Sequence, residues 1–261
     1  MITIKQKLLI GSTICTPPPI LNEFIQSLKG LNLTGLEVTF MLIDDNQDAE
    51  SSRLLNDANF GHHTIIQKGP PREESYEITG GTHKWTNHLI DRVAMLKNKI
   101  IDYAIDGDFD YLFFVDADLV LDENLPNHLI SQGKEIISEI FWTSWEQDLM
   151  PLPNCWAYDH YSFAHPKLEA EARSREAIKF LEMLKQPGVY EVGGLGACTM
   201  LSVPALKSGL NFSPIKNVSF WGEDRWFCIR AIAMGYSLYV DTHFPVTHLY
   251  RLSDISGGGY R

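Results

Sequence analysis

Residues 111–120 read YLFFVDADLV. Five apolar or aromatic residues run into two aspartates one position apart, and apolar character then returns. Carboxylates this close repel one another and resist leaving water, so the pattern is costly unless positive charge sits beside it. Continuous apolar character from Tyr111 to Val115 marks a strand buried on both faces, as in a parallel sheet covered by helices. Ligands of such sheets bind beyond the carboxyl ends of the strands, where Asp116 and Asp118 stand.

The flanking chain repeats this pattern. KLLIGSTIC (7–15) and VTFMLIDD (38–45) read as short buried strands, and ILNEFIQSLKGL between them places Leu21, Phe24, Ile25 and Leu28 at helical spacing. In residues 82–106, Leu89, Val93, Leu96, Ile100 and Tyr103 form a helical stripe, followed by the YLFFVDAD strand. Thr13 ends the first strand, Asp44 and Asp45 end the second, and Asp116 and Asp118 end the third. All five are expected on one edge of the sheet. The second half is less regular: a strand from Glu135 enters a loop rich in Trp, Tyr and Pro, and a polar-faced helix ends at Pro187 and Gly188. A glycine-rich segment, an aromatic-acidic stretch and a final strand follow. With no internal repeat or low-complexity linker, the expectation is a single domain over 1–261, with residues 1–120 a nucleotide-binding half and 121–261 an acceptor and catalytic half.

A chain of 261 residues with 44% hydrophobic and 21% charged residues can bury a sizeable core. Its formal net charge of −11 argues against nucleic acid or an anionic membrane as partner, since both want clustered Lys and Arg. Cys15, Cys155, Cys198 and Cys228 contain no C-x-x-C pair and lie in or beside apolar runs, which suggests reduced thiols and a cytoplasmic protein. The apolar run near the start is broken by Gly11 and Ser12 and ends in three prolines, unlike a secretory leader, and no stretch approaches the ~18 residues of a membrane span.

The paired aspartates admit several readings. They could be a solvated strand end. A calcium loop beginning at Asp106 fails, because its sixth position is Tyr111 instead of glycine and its twelfth is Ala117 instead of glutamate. DADLVL after an apolar strand resembles the nucleophile motif of haloacid-dehalogenase-type phosphatases, with Asp116 as nucleophile and Asp118 as acid, although that family carries the motif on its first strand. A divalent cation shared between the aspartates and a nucleotide's phosphates would supply the missing positive charge.

FFVDADLVL, VGGLGACTMLSVPAL, WGEDRWFCIRAIAMGY and LYVDTHFPVTHLYR occur in the order seen in glycosyltransferases of the GT-A fold. The chain resembles a bacterial family 2 enzyme over nearly its whole length. The resemblance implies an α/β fold with a mostly parallel central sheet and helices on both faces. It also implies transfer of a sugar from a nucleoside diphosphate sugar to an acceptor hydroxyl, with Mn²⁺ or Mg²⁺ as cofactor. By position, Asp116, Asp118 and His248 match the metal ligands. Thr13, Asp44 and Asp45 match the edge that holds base and ribose, and Arg92 matches a basic residue that approaches the nucleotide from the following helix. Asp116 and Ala117 lie in the D-x-D segment that meets the donor, and Glu223, on the donor side, and Asp224 match the E-D pair. Two departures stand out: the loop after the second strand is DDNQDAE, and His243 competes with His248 for the metal. Asp44 and Asp45 are compatible with a uracil edge, which favours a UDP-sugar. The acceptor is an unspecified carbohydrate or other hydroxyl compound.

Glu223 and Asp224 precede a helical stretch, where carboxylates favourably meet the N-terminal dipole. Trp221 and Trp226 flank them, and an aspartate in a partly apolar pocket can have its pKa raised toward that of a working general base, the role given to Asp224. No separate carboxylate nucleophile is evident, which favours inversion. Gly193, Gly194 and Gly196 in GGLGA would let the backbone approach the donor sugar, or form a tight turn. A minority of Trp142, Trp145, Trp156, Tyr158 and Tyr161 could form a stacking floor for the acceptor. The alternatives to a transferase are the phosphohydrolase and a nucleotide-sugar-binding protein without catalysis.

Overall fold

Strands with apolar residues on successive positions must be covered from both sides, and the architecture supplies that cover. The computed structural model describes residues 5–71, 78–79, 82–83, 85–145, 149–218 and 222–256. The first half contains β1 (Gln6–Ile14), α1 (Pro18–Gly30), β2 (Leu36–Asp44), α2 (Ala49–Asn56), β3 (His63–Lys68), β4 (Ile78–Thr79), β5 (Thr82–His83), α3 (Asn87–Asp106), β6 (Tyr111–Phe114) and β7 (Leu119–Val120). The second contains α4 (Leu125–Ser131), β8 (Ile136–Thr143), β9 (Leu152–Pro153), β10 (Cys155–Trp156), α5 (Ala170–Met183), β11 (Val189–Val192), β12 (Gly194–Leu195), β13 (Thr199–Ser202), α6 (Val203–Lys207), α7 (Glu223–Ala233), β14 (Leu238–His248) and α8 (Leu252–Ser256).

The main sheet runs β11-β14-β8-β13-β6-β1-β2-β3. The block β6-β1-β2-β3 is parallel, as is β14 with β8; β13 enters antiparallel between β8 and β6, and β11 caps the edge antiparallel to β14. Because side chains alternate across a strand, a continuous apolar run feeds two cores. Leu9, Met41, Ile43, Leu112 and Phe114 face α3 and α7, with Leu96, Ile100 and Phe227. Leu8, Ile10, Phe40, Leu42 and Phe113 face α1 and α4, with Leu21, Phe24 and Leu129.

Local sequence explains the helices that frame the site. α1 starts on the proline run, whose fixed φ suits a first turn and whose missing N–H groups are not needed there, and it buries the stripe Leu21, Phe24, Ile25 and Leu28. Thr86 caps α3, its hydroxyl accepting from the Leu89 N–H at 3.2 Å. The α3 stripe differs from the sequence reading. Leu89, Leu96 and Ile100 of the expected stripe are buried, but Val93 and Tyr103 are only half-buried, and the buried face widens to take in Ile90, Ala94, Lys97, Ile101 and Ala104. A periodicity reading counts a lysine as polar, yet Lys97 stands in the middle of the core-facing row.

Candidate active site

Chain pairing, more than local propensity, assembles the acidic edge. β6 stops at Phe114, the chain turns through Asp116–Asp118, and β7 pairs antiparallel with the end of β14, setting Leu119 opposite His248. The Leu249 N–H donates to the Asp118 carbonyl at 2.8 Å. His248 Nε2 therefore lies 3.2 Å from Asp118 Oδ2, while its Nδ1 meets Thr143 Oγ1 at 2.8 Å. Burial opposes a charged imidazole, but Asp118, with Asp116 behind it, outweighs that and raises the His248 pKa. Of the two competing histidines, His248 is the one that reaches the D-x-D pair; His243 turns to Asp241 and His128.

The positive charge demanded by the opening pattern comes in part from Lys97. Its Nζ donates to Asp224 Oδ1 at 2.9 Å and Glu223 Oε1 at 3.0 Å, over the Phe212 ring. Burial opposes its charge, but Asp224, Glu223 and Asp116 raise its pKa well above the ordinary value, so Lys97 stays an ammonium. The carboxylates move the other way. Burial and the neighbouring Glu223 and Asp116 charges, opposed by Lys97, lift Asp224 to about 7. Burial, with Asp118 and Glu223 and against Lys97 and His248, lifts Asp116 to about 6. Asp224 keeps 28% of its side chain exposed, so it can meet a substrate. Gly196 lies against it, where an added Cβ would stand 3.3 Å from Oδ2.

Asp116, Asp118 and His248 offer two carboxylates and one imidazole, a donor set that fits Mn²⁺ or Mg²⁺. His248 and Asp118 are in contact at 3.2 Å, but the three ligand atoms are not all gathered within 4.8 Å of one another. Among the described residues, the group of three His, Cys, Asp or Glu side chains whose ligand atoms all lie within 4.8 Å of one another is His128, Asp241 and His243.

Thr13, Asp44 and Asp45 do reach the edge expected of them, but the two aspartates have protein partners there. Asp44, 2% exposed, accepts from Lys68 Nζ at 2.9 Å and from both the backbone and side-chain N–H of Asn46. Asp45 takes Arg92 in a two-point contact, Nε at 3.0 Å and Nη2 at 2.5 Å, and Nη2 also reaches the Pro70 carbonyl. Asp45 and Arg92 are thus brought to each other. Ala117 is buried in the second core, so only its backbone is placed to face a ligand.

The glycines carry a packing reason of their own. A Cβ on Gly193 would strike the Ala157 carbonyl, and one on Gly194 would strike the Trp156 ring, because β12 pairs with β10 at Gly194 opposite Trp156. Trp156 is buried and packs against Tyr161 at a tilt, ring centroids 4.5 Å apart, whereas Trp142 and Tyr158 are half-buried. Trp145 is exposed and packs edge-on to Tyr250 at 5.4 Å, close to His248. Trp226 is core, next to Arg225, which Asp159 grips through two 2.7 Å bonds; Trp221 lies outside the described residues.

No family model and no curated protein matches the chain. Solved structures do. Residues 1–349 of TarS from S. aureus align over 92% of this chain with 13% identity and a TM-score of 0.53. A mannosyltransferase from Pyrobaculum calidifontis, solved with GDP-Man and Mn²⁺, aligns over 94% with 11% identity and a TM-score of 0.54. The fold is the GT-A glycosyltransferase fold. The chain spans 60% and 57% of the lengths of those two glycosyltransferase structures. No helix among the described residues is long and apolar enough to cross a membrane.

Proposed function

We propose that the protein transfers a glycosyl group from a nucleoside diphosphate sugar to an acceptor hydroxyl, with inversion and with Asp224 as the general base. The observation that carries this is the Lys97 cluster: one buried ammonium bonds both carboxylates of the E-D pair of α7, and its charge also acts on Asp116 of the D-x-D turn. In the transfer, the acceptor oxygen bonds to the sugar's anomeric carbon as the bond to the diphosphate breaks, and the hydroxyl proton passes to Asp224. Lys97 keeps Asp224 ionised near neutrality, and a pKa of about 7 suits a base that must take a proton at physiological pH. Asp116, Asp118 and His248 would hold Mn²⁺ or Mg²⁺. A cation there would neutralise charge developing on the leaving diphosphate.

Thr13, Asp44, Asp45 and Arg92 would form the nucleotide edge, with Asp45 oriented by Arg92; Asp44 and Asp45 favour a UDP-sugar. The exposed Trp145 and the half-buried Tyr250 are the aromatics best placed to face an acceptor. The sharing of a fold with glycosyltransferases favours transfer over the phosphohydrolase alternative, and four cysteines with no C-x-x-C pair support a cytoplasmic setting.

The test is release of nucleoside diphosphate from a panel of UDP-sugars and GDP-mannose, with and without Mn²⁺. Metal-dependent release by the wild type, lost in Asp224→Asn with donor binding retained, supports the assignment. Absence of metal-dependent binding and release across the panel would sink it. Binding without turnover would leave the non-catalytic alternative.

A further inference from the structure

Outside the active edge, two histidines close on one buried aspartate. Asp241 and His243 sit two residues apart on β14, so their side chains leave the same face of the strand, and His128 reaches them from α4. His128 Nε2 is 2.9 Å from Asp241 Oδ2, and His243 Nδ1 is 3.1 Å from each Asp241 oxygen. The strand register shifts between Asp241 and Val246, which separates this cluster from the end of β14 where His248 lies. Five residues of strand put His243 and His248 about 16 Å apart, so the two sites do not share ligands.

We propose that His128, Asp241 and His243 form a zinc-class divalent metal site distinct from the D-x-D edge. Two ligands each about 2.0–2.1 Å from a tetrahedral zinc lie about 3.3 Å apart, so the observed 2.9–3.1 Å spacings need to open by only a few tenths of an ångström. Two imidazoles with one carboxylate select borderline ions such as Zn²⁺ over Mg²⁺ or Ca²⁺. The surroundings have the character of a supporting shell. Asp241 is fully buried and hydrogen-bonded to the equally buried Glu139, its neighbour in register on β8. Glu139 in turn accepts the Phe244 N–H at 3.0 Å. Such partners orient the ligating group. The Phe244 ring walls His128 at 4.8 Å, while His243 is 38% exposed and gives an ion a way in. Asp241 and Glu139 can share a hydrogen bond only when one of them carries a proton, so one carboxylate charge remains fully buried, and a divalent ion on Asp241 would offset its cost. Three protein ligands leave the fourth position for water.

The site is tested on metal-free full-length chain carrying Asp118→Ala, so that the D-x-D edge does not contribute. Co²⁺ is the spectroscopic probe, with Zn²⁺ as competitor. One equivalent of Co²⁺ giving the absorption of a tetrahedral centre and displaced by Zn²⁺ is the expected result. His243→Gln, at the exposed rim, should weaken binding by at least about 100-fold, beyond the usual loss of an outer-sphere partner, with an unchanged circular dichroism spectrum. His128→Gln should do the same. No stoichiometric Co²⁺ binding, or binding that survives His243→Gln undiminished, would overturn the proposal and leave the three residues a hydrogen-bonded tie between α4 and β14.

Discussion

Lys97 illustrates how one buried charge sets the behaviour of its neighbours. It is held at 2.9 Å from Asp224 and 3.0 Å from Glu223, and its field reaches Asp116, so its removal strips compensation from three carboxylates. Since Lys97 lowers the Asp224 pKa, Lys97→Met should raise it further above about 7. A general base is active when deprotonated, so activity should climb as pH rises through about 7 in the wild type. The variant's acid limb should move to higher pH, measured as kcat/KM for the donor against pH; an unmoved limb would separate Lys97 from the base. Asp224→Asn preserves volume while removing the basic lone pair. Turnover should fall by roughly 10² to 10⁴-fold and donor affinity change by less than about threefold, read from single-turnover and binding measurements. Asp118→Ala should abolish Mn²⁺-dependent thermal stabilisation by nucleoside diphosphate, because a ligand held only by the folded state raises apparent stability. Full Mn²⁺ dependence in that variant would remove Asp118 from the ligand set.

At the level of elements, β14 and the β10-β12 pair determine what the loops present. β14 carries His243 and His248, which a sequence reading sets in competition, and its register shift delivers them to different places: His248 to Asp118, His243 to Asp241. Pro245 falls inside the shift, where a ladder N–H is not required. In the β10-β12 pair, Gly194 is bare because Trp156 occupies the space of its side chain. Gly194→Ala should therefore cost about 1–3 kcal/mol, the usual range for overpacking, seen as a lower denaturation midpoint with an unchanged m-value. A neutral effect would show that Trp156 can move aside and would return the glycine to a role facing the donor.

Across the whole molecule, the sheet ties the two halves of the chain together. β13, from the second half, pairs with β6 from the first, and β7 pairs with β14. Both cores also draw residues from each half: Leu112 and Phe227 in one, Phe40 and Met200 in the other. Residues 1–120 should therefore not unfold independently of 121–261. Far-UV circular dichroism, which reports on both halves, and tryptophan fluorescence, which reports mainly on the second because five of the six tryptophans lie there and only Trp85 in the first, should show coincident denaturant transitions. Two resolved transitions would instead show separable domains.

Much of this was legible in the chain alone because the signals are local. Continuous apolar runs ending in Thr13, Asp44–Asp45 and Asp116–Asp118 specified doubly covered parallel strands, and a parallel block must bring their carboxyl ends to one edge. The α1 stripe expected from spacing, Leu21, Phe24, Ile25 and Leu28, is buried, and Ile20 joins it. What tertiary structure alone decided was which charge meets which. Lys97 lies 126 and 127 residues from its carboxylate partners, His128 lies 113 from Asp241, and Arg92 lies 47 from Asp45. Periodicity carries no term for such pairs: it records that a lysine is polar, and a buried ammonium is tolerated only where distant chain supplies carboxylates. The glycines show the same division, since their occurrence is visible in sequence while the ring that requires Gly194 to be bare arrives only when β10 folds beside β12.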